Sequence, residues 1–404
     1  MEDESAPQEG ALFLLLGSPF MIPVSDGHNQ IIHADLIDYL NLRIPPQMSE
    51  AWDNCGLQVG SRQWPLQGVL CCLDLSSSVV SEALAVGANF IFSHHPLFFK
   101  PLKSLDLDVF PGNLIYQALT AGITLYSAHT NLDSVVGGVN DHLAKLLGVT
   151  NCAPLIPHSV DIYKLVTFIP SSDLEQVAEA LFAAGAGRLG AGLYSECSFS
   201  TPGVGSFRPA SGATPRIGEI GKTNLVDEIR FETVLDRGAR ARVLKALHLA
   251  HPYEVPAYDL YPLKLSDDAC GSGRVGVLKK TMGLAGFVSF VKQRLGIETL
   301  RLVGGDLGTG RVEKIALCGG SGFSLYKEAQ AAGADLYITG DLKYHEAREV
   351  LDQGQIPILD AGHFATEKPI LEVCAGWCHQ FLAENEIALP VVVSQTEREP
   401  WLYL

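Results

Sequence analysis

The sequence predicts an α/β protein of two pseudo-repeated halves, with a ferredoxin-like α+β domain inserted between them. Three observations predict it. Residues 69–133 read strand, helix, strand, helix, strand, and residues 314–367 repeat that order. "AVGANFIFSHHP" (85–96) can be laid beside "AAGADLYITGDL" (331–342) position by position, as an internal duplication would allow. Between the halves the texture changes to a strand–helix–strands–helix–strand order, which is the ferredoxin-like pattern.

In the first half, "VLCCLDL" (69–75) is a continuous apolar run, as expected of a parallel strand covered on both faces. "SSSVVSEALAVGA" follows as a helix, with serines suited to the N-cap and Gly87 to the stop. "NFIFS" is the next strand and ends at His94. "GNLIYQALTAG" is a helix stopped by Gly122, and "ITLYSAHTNLD" reads as a strand running out at Asp133. In the second half, "KIALCGGSG", "DLYITGD" and "IPILDAGHFATE" carry the strands, while "FSLYKEAQAAGA" and "YHEAREVLDQG" carry the helices.

The expected domains are an N-terminal extension (1–30), a first α/β half (31–150), the insert (155–265) and a second half (270–404). In the insert, Ser172 and Glu175 are spaced as a capping box at the start of a helix. The apolar stretch 11–24 is too short to span a bilayer and follows acidic residues, unlike a secretory signal; Met21 is an alternative start.

At 404 residues the chain is long enough for two or three domains, and 47% hydrophobic with 18% charged residues describes a well-packed globular protein. A formal net charge of −16 excludes a nucleic-acid backbone as the main partner, and no segment suits a membrane. Nine scattered cysteines without a C-x-x-C read as reduced thiols in a cytoplasmic protein.

The chemistry gathers at predicted strand ends, where open α/β sheets bind their ligands. His94, His95 and Asp133 lie there in the first half, and His363 and Glu367 in the second. Imidazole and carboxylate together suit Zn²⁺, Mn²⁺, Fe²⁺ or Co²⁺. Two consecutive histidines on a regular strand would face opposite ways. At an exit fixed by Pro96 the chain can bend, and the rings could serve two neighbouring ions. Thr366 is read as an N-cap that places Glu367 in the first, dipole-positive turn of a helix. His129 and His345 lie near the same edge as candidate acid/base groups or as partners of the ligands. Gly319, Gly320, Ser321 and Gly322 form a turn that could hold a phosphate on backbone N–H groups, or could be a plain tight turn.

"FSHHPLFFK", "HTNLD", "ITGDLKYHE" and "DAGHFATE", with "AWDNCGLQVG" near the start, resemble the Nif-three-like family, the GTP cyclohydrolase 1 type 2 homologues. The resemblance covers about 31–150 and 270–400. It implies a dinuclear metal centre on His94, His95, Asp133, His363 and Glu367, with two divalent ions per chain. Zinc is the first expectation; manganese, iron or cobalt are the alternatives. It also implies a homohexameric ring with its metal sites facing an internal cavity. The insert is similar to the PII/CutA-type domain of longer members, with "HPYEVPAYDLYPL" close to their signature. The expected function is metal-dependent hydrolysis of a nucleotide, opening the guanine ring with release of formate. The alternatives are a metal-binding regulator or metal-handling protein without turnover, and a two-metal phosphoesterase.

Overall fold

A computed structural model describes residues 30–189, 194–353 and 356–402. All but the last residue of the expected extension at 1–30 therefore lies outside the described residues. The chain divides into two units: residues 1–156 with 269–404, and Pro157–Asp268. Among the described residues no helix is long and apolar enough to cross a membrane.

The larger unit holds two sheets. In the first, strands Val69–Cys72, Phe90–Ser93 and Thr124–Ser127 run parallel as neighbours. Val391–Val393 adds in parallel at one side and Gly56–Val59 antiparallel at the other. All three central strands are fully buried along their length, as their apolar runs require. Helix Ser77–Ala85 follows the first, with Ser76 Oγ accepting from the Val79 N–H at its N-cap. Helix Gly112–Thr120 follows the second.

The second sheet repeats this order with strands Arg311–Ser321, Leu336–Gly340 and Ile358–Asp360, again parallel neighbours. Helices Tyr326–Ala331 and Tyr344–Gln353 connect them. Arg301–Val303, Arg274–Gly283 and Val149–Ala153 complete the sheet in antiparallel pairings. Gly87 and Gly333 hold the same left-handed position behind the first helix of each half.

The smaller unit is a βαββαβ fold: strand Ile156–Pro170, helix Leu174–Ala183, strands Ser198–Phe207 and Asn224–Asp236, helix Arg240–Ala250, strand Tyr258–Ser272. Counted within the unit, its strand order is 2-3-1-4, the ferredoxin-like arrangement. Leu165, Ile169, Phe231 and Leu235 from the sheet pack on Val177, Leu181, Val243 and Leu247 from the helices. The capping box expected from Ser172 is not formed. Residues Ser171–Asp173 make a 3₁₀ turn, the helix begins only at Leu174, and the Ser172 hydroxyl bonds Asp173 instead.

One buried side chain ties the halves of the larger unit. Arg274 is 1% exposed. Its Nε pairs with Asp141, its Nη1 donates to the carbonyls of Gly271 and Gly273, and its Nη2 to those of Ser134 and Val135. Removing it leaves the half-buried Asp141 carboxylate without its cation and several buried carbonyls without a donor. Arg274→Ala is expected to destabilise this unit by about 3–5 kcal/mol. Urea unfolding followed by tryptophan fluorescence checks this, because Trp52, Trp64, Trp377 and Trp401 all lie in the larger unit.

Candidate metal centre

The exits of the parallel strands bring together His94, His95, His129, Asp133, His363 and Glu367. The histidine doublet works because the backbone turns there. The N–H groups of His94 and His95 both donate to the neighbouring strand's exit, at Cys72 and Leu73. Consecutive N–H groups of a regular strand would point to opposite neighbours. The two rings consequently lie on one side, centroids 5.0 Å apart. Buried Ser93 and Ser127 hold the bend by donating to the His95 carbonyl.

Asp133 does not end a strand, as its sequence suggested. The strand stops at Ser127, and Asp133 sits on a one-turn helix, Thr130–Ser134. The Asn131 side chain accepts from the His129 N–H and so fixes the turn into it. The reading of Thr366 as an N-cap is also corrected. Gly362, at φ +84°, lets the chain enter helix one residue later, and His363–Glu367 is itself the one-turn helix. Thr366 Oγ1 faces inward, accepting from the Gly320 N–H and donating to the Gly362 carbonyl. Glu367 therefore closes its helix instead of opening it, and its ionised state has another cause. Burial alone would raise its pKa, but His94, His363 and His95 hold it well below the usual carboxylate range.

Each histidine has its Nδ1 committed. His94 Nδ1 donates to the Ala128 carbonyl at 2.9 Å. His95 donates to Asp74 at 2.8 Å, His129 to Asp53 at 3.0 Å and His363 to Asp341 at 2.7 Å. The partners are themselves held. Asp53 accepts from Cys55, from the Asn54 N–H and from both the N–H and hydroxyl of Thr130. Asp74 is fixed by Glu397, whose carboxylate takes its N–H and that of Leu73. Asp341 adopts φ +55°, a conformation a non-glycine residue reaches only at some cost. With every Nδ1 proton given away, the Nε2 lone pairs face inward.

The inward faces crowd electron-rich atoms. His95 Nε2 and His363 Nε2 are 3.3 Å apart, and each is 3.0 Å from Glu367 Oε2. His94 Nε2 and Asp133 Oδ1 are buried, 3.7 Å apart, and have no hydrogen-bond partner. An unpaired buried polar atom costs about 1–3 kcal/mol. A cation removes both penalties, and imidazole with carboxylate is a donor set for divalent transition metals. The residues fit a metal. They form two clusters sharing His95: His94, His95 and His129, then His95, His363 and Glu367. His129 thus stands among the ligand atoms, although its sequence position suggested an acid/base group or a ligand's partner.

His345 is not part of this cluster. It lies exposed on the helix Tyr344–Gln353, with its ring against Tyr344. The glycine turn serves the site in a way other than as an anion cradle. The N–H groups of Gly319, Gly320 and Gly322 are already given to Asn140, Thr366 and Thr339, and the Ser321 side chain is exposed. What the turn supplies is close approach. Gly320 has φ +62°, and a Cβ there would lie 2.0 Å from Glu367 Oε1. Asp53, Asp74 and Asp341 were missed by sequence reasoning, although each lies in a segment it singled out; nothing in the sequence marked them as partners of the histidines.

A family model, Duf34/NIF3 (NGG1p interacting factor 3), matches residues 32–400. The chain belongs to the NIF3/DUF34 family. A Halalkalibacterium halodurans protein named GTP cyclohydrolase 1 type 2 homolog is 38% identical over 361 residues, covering 89% of this chain and 95% of that protein. The Bacillus subtilis protein of that name is 39% identical, covering 87% and 93%. The structure of a Bacillus cereus protein related to NIF3 is similar at TM-score 0.70 and 36% identity, covering 93% of this chain and all of that one. A Staphylococcus aureus structure reaches TM-score 0.77 at 29% identity, covering 94% of this chain and all of that one.

Without a cation the cluster must hold protons. Burial would lower the histidine pKa values. Against it, Asp74 and Glu367 push His95 up to about 10, and Glu367 and Asp341 push His363 up to about 9. Metal loading at pH 7.5 is therefore expected to release about two protons per chain. Affinity should fall steeply as pH drops below about 9, since both imidazoles must be neutral to ligate. Calorimetry in buffers of different ionisation enthalpy measures the proton count. A second outcome tests the turn: Gly320→Ala should lower metal affinity at least tenfold, read by metal content after dialysis.

Proposed function

We propose that this protein is a dinuclear-metal-dependent hydrolase acting on a nucleotide-like substrate, of the GTP cyclohydrolase type. The observation that carries it is the pair of ligand clusters sharing His95. Each imidazole has one free Nε2, so His94, His129 and Asp133 would hold one divalent ion, and His95, His363 and Glu367 the second. Zinc suits the donor set first; manganese, iron or cobalt are the alternatives. Such ions supply Lewis acidity and a nucleophilic water at neutral pH. The chain's own work is to keep the protons on Nδ1 of each histidine, through Asp53, Asp74, Asp341 and the Ala128 carbonyl, so that Nε2 stays available. The name shared by the relatives supports guanine-ring opening with formate as the product. The resemblance further supports a homohexameric ring, and the free buried thiols Cys71, Cys72, Cys374 and Cys378 support a reducing, cytoplasmic setting.

Protein reconstituted with zinc, manganese or iron and given GTP is expected to release formate, assayed enzymatically, and Asp133→Ala to abolish that release while remaining folded. No formate from wild-type protein carrying two metals per chain would sink the cyclohydrolase reading. Inorganic phosphate in its place would make it a phosphoesterase.

A second reading, a metal-binding regulator without turnover, is favoured by one observation in the insert. A cavity of about 570 Å³ lies there, lined by Phe168, Gly203, Gly205, Arg216, Glu228 and Tyr253 among others. Beside it Glu254 accepts from the Thr214 N–H and hydroxyl, and His251 Nε2 donates to the Phe168 carbonyl. Replacing residues 157–268 by a short turn decides between the readings: a hydrolase keeps its metals and its formate release, whereas a regulator shows no formate release even intact and loses its ligand response.

A further inference from the structure

Two aromatic rings beside the cluster are left in water. Trp52 is 60% exposed and Phe99 47%. They are neighbours, with centroids 6.0 Å apart and planes at 45°. Both touch His129: Trp52 edge-on at 6.0 Å, Phe99 at 5.6 Å. Their chain segments are fastened together, since the Asn54 side-chain amide donates to the Phe98 carbonyl at 2.8 Å. Trp52 also directly precedes Asp53, the carboxylate that orients His129. Neither ring belongs to the packed core, and what sets them apart from other exposed apolar residues is their shared contact with His129.

The surroundings narrow what the rings could meet. Among the described residues, no lysine or arginine pairs with Asp53, Asp74, Asp133, Asp341 or Glu367. Three N–H groups of the glycine turn are committed within the protein. The cluster thus has a π surface beside it, and its carboxylates are paired with histidines instead of with lysine or arginine.

We propose that Trp52 and Phe99 form a stacking platform for a planar heteroaromatic ring of purine size, and that this site recognises its substrate by the ring and not by phosphates. Stacking on aromatic side chains is tolerant of ring identity and needs no charge. The platform holds the ring against His129, at the edge of the ligand cluster. This rests on the metal-hydrolase reading of the same site and names the substrate class for it.

The test uses the metal-loaded full chain and two probes in calorimetry: guanosine, a ring without phosphate, and ribose 5-phosphate, a phosphate without a ring. Guanosine is expected to bind, and ribose 5-phosphate to bind at least tenfold more weakly. Trp52→Ala should weaken guanosine roughly 10- to 100-fold, while Trp52→Phe stays within a few-fold. Metal content, measured in the same samples, should not change. The proposal is overturned if metal-loaded wild type ignores guanosine, if Trp52→Ala binds it as tightly, or if ribose 5-phosphate matches it. Wild-type protein that takes up no metal overturns the metal-centre reading and this proposal with it.

Discussion

The structure depends on where the imidazole protons are. Four histidines converge, and each gives its Nδ1 proton to a carbonyl or carboxylate behind it. That choice turns every Nε2 inward as a lone pair, toward Glu367 and Asp133. Such a cage repels itself unless a cation sits in it, so protons and metal compete for one space. The same constraint explains features that look unrelated. Gly320 lacks a side chain because Glu367 occupies the place of its Cβ, and Thr366 turns inward because the Gly320 N–H needs an acceptor. Asp341 accepts an unfavourable backbone conformation because His363 must be held from behind.

The duplication supplies the frame, and the halves have diverged in what they place on it. Ser93 and Thr339 occupy corresponding positions, and both are buried hydroxyls that bond carbonyls at a strand exit. Two positions later, His95 supplies a ligand atom, whereas its counterpart Asp341 orients one. After the third parallel strand each half makes a one-turn helix, and each such helix carries a carboxylate, Asp133 or Glu367. The donor set is thus shared by the halves without being symmetric. Neither half holds a complete site.

Much of this was legible in the sequence, for identifiable reasons. Buried parallel strands must be continuously apolar, so "VLCC", "NFIFS" and "LYITG" could be placed. Their exits then had to be where polar side chains collect, which located His94, His95 and His363. The backbone turns at those exits were not legible. Whether a chain leaves a strand extended or as a single helical turn depends on contacts such as Asn131 to the His129 N–H, and on Thr366 to Gly320 across the fold. The orienting carboxylates were hidden for the same reason. Asp53 and His129 are 76 residues apart, and Glu397 reaches Leu73 over 324. A motif can show that Asp53 or Asp341 matters, but only the fold shows which histidine each stands behind. His345 shows the opposite error: proximity to a motif put it in the site, and the helix Tyr344–Gln353 carries it out to solvent.

The place of the insert follows from the same frame. Val149–Ala153 and Arg274–Gly283 are antiparallel neighbours, with Ala153 opposite Val275. The insert thus replaces what would otherwise be a hairpin turn, the kind of place where an added domain disturbs least. Arg274 stands at that junction, with its guanidinium buried under the Gly271, Gly273, Ser134 and Val135 carbonyls and paired with Asp141. Asp141 and Asn140 share one helix, and Asn140 accepts from the Gly319 N–H at the start of the site's glycine turn. The residue that closes the chain after the insert is therefore two contacts from the turn that makes room for Glu367. The chain can carry an added domain at this point because Arg274 fixes the register of the halves without it.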